Sequence, residues 1–174
     1  WLTRPFNPME ANGSPDPAAG PGADPAGILG FRAPFLEYND AALQTLQDLA
    51  FHYDTSIEDG WQPEQDGTNY MWPYTLDSGS PGHDVLVGWG LHDPITAHPG
   101  LWELPLHPVV VPPDEACEQY GVAPGLRGRL QALHSWFDTA SGKITGFDYN
   151  LWSLFGMTSD EVVATLKYTL GQRL

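Results

Sequence analysis

Residues Ile28 to Asp54 carry the pattern that most limits the fold: an apolar run, a proline break, an amphipathic segment and a second apolar run. Ile28-Leu29-Gly30-Phe31 reads as a buried strand. Pro34 has no N–H to give to a ladder, so a central strand ends before it. Asn39 or Asp40 then caps a helix through about Ala50, with Ala42, Leu43, Leu46, Leu49 and Ala50 on one face at three- and four-residue spacing. His52-Tyr53-Asp54 begins the next strand. Strand, loop, helix and strand make a βα unit, which predicts an α/β fold, either barrel or layered sheet. Such folds gather their chemistry at the carboxyl ends of strands. Arg32, one of seven basic residues, is delivered there. A guanidinium held by fixed backbone suits two parallel hydrogen bonds to a carboxylate, the alternative being an ordinary salt bridge at a strand terminus.

The remaining segments divide unevenly. Residues 1–27 form an irregular surface segment, because Asn7 to Gly27 is Pro/Gly/Ala/Asp-rich and lacks the apolar side chains to offset its ordering entropy. Trp1, Leu2 and Phe6 are its expected anchors. Residues 28–174 form the α/β domain. From Glu58 to Gly100 turn-formers dominate, with Trp61, Tyr70, Trp72, Tyr74 and Trp89 between them and a short strand expected at Val85-Leu86-Val87. Trp102 to Val111 alternates as a proline-broken edge or barrel strand. Helices are expected around Leu126 to Phe137, Phe147 to Phe155 and Ser159 to Leu170. The last has a capping box, Thr158 with Glu161, and an apolar stripe of Val162, Leu166, Thr169 and Leu170.

Charge and composition exclude several functions. A net charge of −15 with no basic cluster argues against nucleic acid and anionic membranes. It suits solubility outside the cell, or cationic ligands such as partly deacetylated amino sugars. Apolar runs fall short of the roughly 20 residues a spanning helix needs, so no membrane insertion is expected. The single cysteine, Cys117, rules out an internal disulfide and a Cys-rich zinc site. His83, His92 and His98 follow no zinc-ligand spacing and read as hydrogen-bonding loop residues; His107 and His134 lie on apolar patterns and read as structural. Serine-hydrolase elbows, phosphate-binding glycine loops and Cys/His nucleophile arrangements are absent from the sequence. Seven Trp, seven Tyr and seven Phe in a weakly charged, loop-rich chain serve either as core or as flat platforms for the apolar faces of sugar rings.

Phe31-Arg32-Ala33-Pro34-Phe35-Leu36-Glu37-Tyr38 resembles the Arg-x-Pro-Tyr motif of the polysaccharide deacetylases, the NodB-homology or carbohydrate esterase 4 group. His52-Tyr53-Asp54-Thr55-Ser56, Asp59-Gly60-Trp61, Trp72-Pro73-Tyr74, Leu101-Trp102-Glu103-Leu104-Pro105-Leu106 and Phe147-Asp148-Tyr149-Asn150-Leu151-Trp152 resemble further segments of that group, in the same order. The ordered set carries the resemblance; no single piece does.

The resemblance implies a distorted (β/α) barrel of the NodB type with long irregular loops, secreted or in the cell envelope, removing N- or O-acetyl groups from a polysaccharide. It implies that Arg32 orients the catalytic base and that Pro34, Phe35, Asp59, Trp61, Trp72 and Tyr74 face substrate. Trp61 then walls a small apolar pocket, where a plain core tryptophan is the alternative; Asp59 orients groups beside it or belongs to an exposed acidic turn. The group's divalent metal, zinc for preference, is held by a Thr-Phe-Asp-Asp aspartate and two histidines that precede the arginine motif. Neither precedes Arg32 here, and the late Leu-x-His motif is also missing. The expectation is therefore a middle-to-C-terminal portion of such a domain. It binds no metal and is inactive alone, with the barrel completed by further segments or a second chain. A non-catalytic, deacetylase-derived glycan-binding or assembly protein is the alternative.

Overall fold

The computed structural model describes residues 23–145 and 149–174. Trp1, Leu2, Phe6, most of the Pro/Gly-rich segment and Phe147-Asp148 lie outside the described residues.

The fold is mixed α/β. The first unit follows the sequence pattern: β1 (Gly30–Phe31), α1 (Asp40–Asp48) and β2 (Tyr53–Asp54), with a 3₁₀ turn at Pro34–Leu36 between β1 and α1. Asn39 caps α1 by accepting the Ala42 N–H. Leu43 and Leu46 face inward, whereas Leu49 is exposed because the helix ends before it. Next come β3 (Tyr74–Thr75), α2 (Pro81–Gly88) and β4 (Trp102–Glu103). The sheet order is β1-β2-β4-β3, with β1, β2 and β4 mutually parallel and β3 antiparallel to β4. A bridge between Glu58 and Leu106 carries the parallel pairing further. Ala33, Tyr38, Leu43, Leu46, Ile57, Leu76 and Leu101 close the core beneath it.

Val85-Leu86-Val87 is helical, not a strand. Ser80 accepts the His83 N–H and Pro81 occupies the first turn, so the capping signal overrides the β-branched run. The proline-broken strand resolves into β4 and a separate β5 (Val109–Val110), which pairs antiparallel with β6 (Lys143–Ile144). Between β5 and β6 lie α3 (Asp114–Cys117) and α4 (Leu126–Leu133). The Arg127 guanidinium donates to the carbonyls of Val111, Thr139 and Ala140, tying α4 to both ends of that hairpin. After β6 come α5 (Asn150–Ser153) and α6 (Ser159–Gly171). The Thr158–Glu161 capping box forms as expected. The stripe on α6 is shifted, however. Val162, Ala164 and Thr165 are buried and Thr169 accepts the Val110 N–H, while Leu166 and Leu170 are exposed. Val111, Leu126, Leu130, Phe137, Ile144, Leu151, Phe155 and Val162 build the second core cluster. No helix among the described residues is long and apolar enough to cross a membrane.

Two helix glycines should respond oppositely to alanine. A Cβ on Gly82 would lie 2.6 Å from the Glu58 carbonyl oxygen and 3.1 Å from Asp59 Cβ; one on Gly128 meets nothing within 4 Å. Helix propensity favours alanine by about 0.5–1 kcal/mol at either site, while forcing atoms into packed backbone costs about 1–3 kcal/mol. Urea unfolding should show Gly128→Ala stabilised and Gly82→Ala destabilised.

Candidate functional site

The carboxyl ends of β1, β2 and β4 bring together the chemistry-bearing side chains. Arg32 leaves β1 and donates from Nε to the Thr55 carbonyl and from Nη2 to Thr55 Oγ1, both at 3.0 Å. These two bonds fix the guanidinium one strand away from its origin, on the solvent-exposed edge of the site. Among the described residues ion pairs join His98 to Asp40 and Arg129 to Glu161, so no described carboxylate takes Arg32 as a salt-bridge partner.

Behind this edge are two carboxyl groups that residue-by-residue sequence reading did not single out. Asp54 and Glu103 are register partners on β2 and β4, and both are essentially inaccessible to water. Asp54 accepts the Ser56 N–H at 2.9 Å and the Ser56 hydroxyl at 2.8 Å. Ser56 Oγ in turn accepts the Ala33 N–H at 2.8 Å. Glu103 accepts the Ile57 N–H at 3.3 Å. Burial and then the adjacent Asp54 charge push Glu103 up to about 9. Burial also raises Asp54, against the pull of its Ser56 bonds. The available signal was the repeated aromatic–acid dipeptide, Tyr53-Asp54 and Trp102-Glu103, ending each of two parallel strands.

A cleft of about 240 Å³ opens beside the pair, walled by Phe35, Tyr38, Ser56, Glu58, Leu91 and His92 among others. The turn that builds it is strained. Phe35 and Leu36 both have left-handed backbones, with φ of 57° and 61°, a conformation that disfavours residues other than glycine. The chain adopts it because Leu36 is buried and the Ala33, Pro34 and Leu36 carbonyls accept the next three N–H groups in succession. Phe35 is left 77 % exposed at the cleft rim. Tyr38 is buried and its hydroxyl donates to His83 Nδ1 at 2.7 Å; the opposite ring nitrogen donates to the Asp93 carbonyl at 3.0 Å. That chain of bonds fixes the neutral tautomer, and burial lowers the affinity of His83 for a second proton. His92 stacks on Tyr38 with ring centroids 4.7 Å apart.

The residues expected to face substrate are not all in one place. Pro34 starts the strained turn and Phe35 lines the cleft. Asp59 is fully buried and accepts the Gly60 N–H, so it is no exposed acidic turn. Gly60 and Gln62 carbonyls accept the Lys143 ammonium, which explains why this loop turns inward. Trp61 is half-buried, edge-on to Trp89. Tyr74 is half-buried, its hydroxyl bonded to Ser80. Trp72 is 73 % exposed and belongs to a different cleft, with Leu104, Pro105 and Leu170, where the Arg173 guanidinium lies 4.6 Å from its ring centroid. Of the histidines weighed as ligands, His83 and His92 contact one another and Tyr38, while His98 is committed to Asp40. No group of three His, Cys, Asp or Glu side chains among the described residues is placed to hold a metal ion. These residues therefore do not fit the zinc site of the deacetylase resemblance. No known family, characterised protein or solved structure matches the chain.

Tyr38→Phe removes the donor to His83 and leaves a buried ring nitrogen without a partner. The expected loss of stability is about 1–3 kcal/mol, measured by urea unfolding at neutral pH. A change below a few tenths would mean that the Tyr38–His83 bond contributes nothing net.

Proposed function

We propose that this chain is a portion of a polysaccharide deacetylase domain of the NodB-homology group, acting on N- or O-acetyl groups of a glycan outside the cell or in its envelope. The observation that carries the reading is Arg32. Two hydrogen bonds to Thr55 hold it at the carboxyl ends of parallel strands, and the turn that follows it carries Phe35 to the rim of the cleft. The ordered motif set supports the same reading, and the parallel β1, β2 and β4 with their helical crossover are compatible with one arc of a distorted barrel.

In this reading Arg32 orients an acidic side chain of the completed site through a charge-assisted hydrogen bond. The cleft beside it covers one face of the sugar and keeps water from it. The divalent metal of such enzymes would supply polarisation of the acetyl group. Its ligands belong to further segments or a second chain, and this chain alone is inactive.

A second reading, a non-catalytic glycan-binding or assembly protein, draws on the separate cleft at Trp72. An indole with one face backed by a guanidinium and the rest exposed offers a platform for a pyranose ring.

The test uses the natural full-length polypeptide, metal-loaded, with acetylated chitin and xylan oligosaccharides. Arg32→Ala should lower acetate release by about a hundredfold, the cost of misplacing a reacting group, with glycan binding unchanged. Unaltered turnover would overturn the role of Arg32. Glycan binding without acetate release from the parent protein, weakened by Trp72→Ala, would establish the second reading instead.

A further inference from the structure

We infer that Asp54 and Glu103 act as one unit, a carboxyl pair holding a single proton that positions the Arg32 loop through Ser56. They are positioning residues, since water and substrate reach neither. The proton and the loop geometry do not depend on the deacetylase reading; only the consequence for turnover rests on it.

Asp54 and Glu103 face each other on adjacent parallel strands, both buried, with no described cation in ion-pair contact with either. Two neighbouring anions in such a place repel and lose their hydration together. Protein donors satisfy both Asp54 oxygens and Glu103 Oε1, whereas Glu103 Oε2 is buried without a donor. A proton on Glu103, shared with Asp54, removes one of the two charges and accounts for the remaining oxygen. In other proteins two carboxyls held in contact share one proton because both cannot ionise together.

The surroundings keep it there. Groups facing the pair are Arg32 from the end of β1, Tyr38 from the strained turn and Tyr74 from β3, with Glu58 from the loop after β2 in the field of Tyr38. Both tyrosine hydroxyls are bonded elsewhere, to His83 and Ser80. Arg32 is the cation among them, and its charge draws Glu103 downward less than burial and Asp54 raise it.

The link to the loop is a two-step chain. Asp54 orients the Ser56 hydroxyl, and Ser56 Oγ receives the N–H of Ala33, the residue after Arg32. Thr55, which anchors the guanidinium, lies between Asp54 and Ser56 in the chain. Glu103 holds its proton up to about 9, above its ordinary 4.5. Its contribution is therefore complete below the ordinary value and is lost as pH rises through about 9.

The experiment is NMR on the 174-residue chain, following side-chain carboxyl carbons and the Ala33 amide with pH. At neutral pH Glu103 should show a protonated carboxyl and Asp54 an ionised one. Loss of the Glu103 proton in the alkaline range should move the Ala33 amide with the same midpoint. Glu103→Gln, which keeps a donor to Asp54, should hold the Ala33 signal at its neutral position and abolish the alkaline change. Ser56→Ala should shift Ala33 at every pH. Two ionised carboxyls at neutral pH, seen in the unaltered chain and so independent of any variant folding, would overturn the inference. So would an alkaline Ala33 shift that persists in Glu103→Gln. In the full-length enzyme Glu103→Gln should remove an alkaline limb from the acetate-release profile. Absent acetate release with the carboxyl titration intact would overturn the deacetylase reading and leave the pair supported.

Discussion

The pairing of β2 between β1 and β4 is the constraint on which the site depends. Each of these strands has only two residues, yet β2 contacts both neighbours, and the loops after β1 and β2 are held by bonds made at its end. Ser56 and Thr55 belong to the continuation of β2, and between them they fasten Ala33 and Arg32 of the β1 loop. So short a ladder supplies little cohesion by its backbone bonds alone. The buried side chains at its carboxyl edge complete what the ladder begins.

Sequence reading reached the βα unit because its signals are local. Asn39, the Leu43–Leu46 spacing and Pro34 each act within a few residues. The same holds for the Thr158–Glu161 box. Val85-Leu86-Val87 was misread because branched side chains suggest strand, while Ser80 and Pro81 had already fixed a helical start. The α6 stripe was misplaced for another reason: which helical face is buried depends on where β5 and its Val110 N–H lie, and no local pattern encodes that.

The site was legible in part. Arg32 stood out because basic residues are scarce and proline follows closely. Asp54 and Glu103 are 49 positions apart, and their partnership exists only once two parallel strands set a common register. Of the two readings open for Asp59, burial excludes the exposed acidic turn, which its polar neighbours suggest; the Lys143 ammonium, from far along the chain, draws that loop inward. The aromatics that sequence order placed together lie apart, since β3 turns Tyr74 toward Ser80 while Trp72 meets Arg173 near the C-terminus.

The left-handed pair Phe35-Leu36 has a consequence for whatever occupies the cleft. A benzyl ring displayed to water on a backbone already locked by three successive N–H bonds does not need to be organised when a ligand arrives. The conformational entropy of that turn is spent during folding, so an incoming apolar surface gains nearly the full benefit of covering the ring. Recognition at this rim is accordingly prepaid.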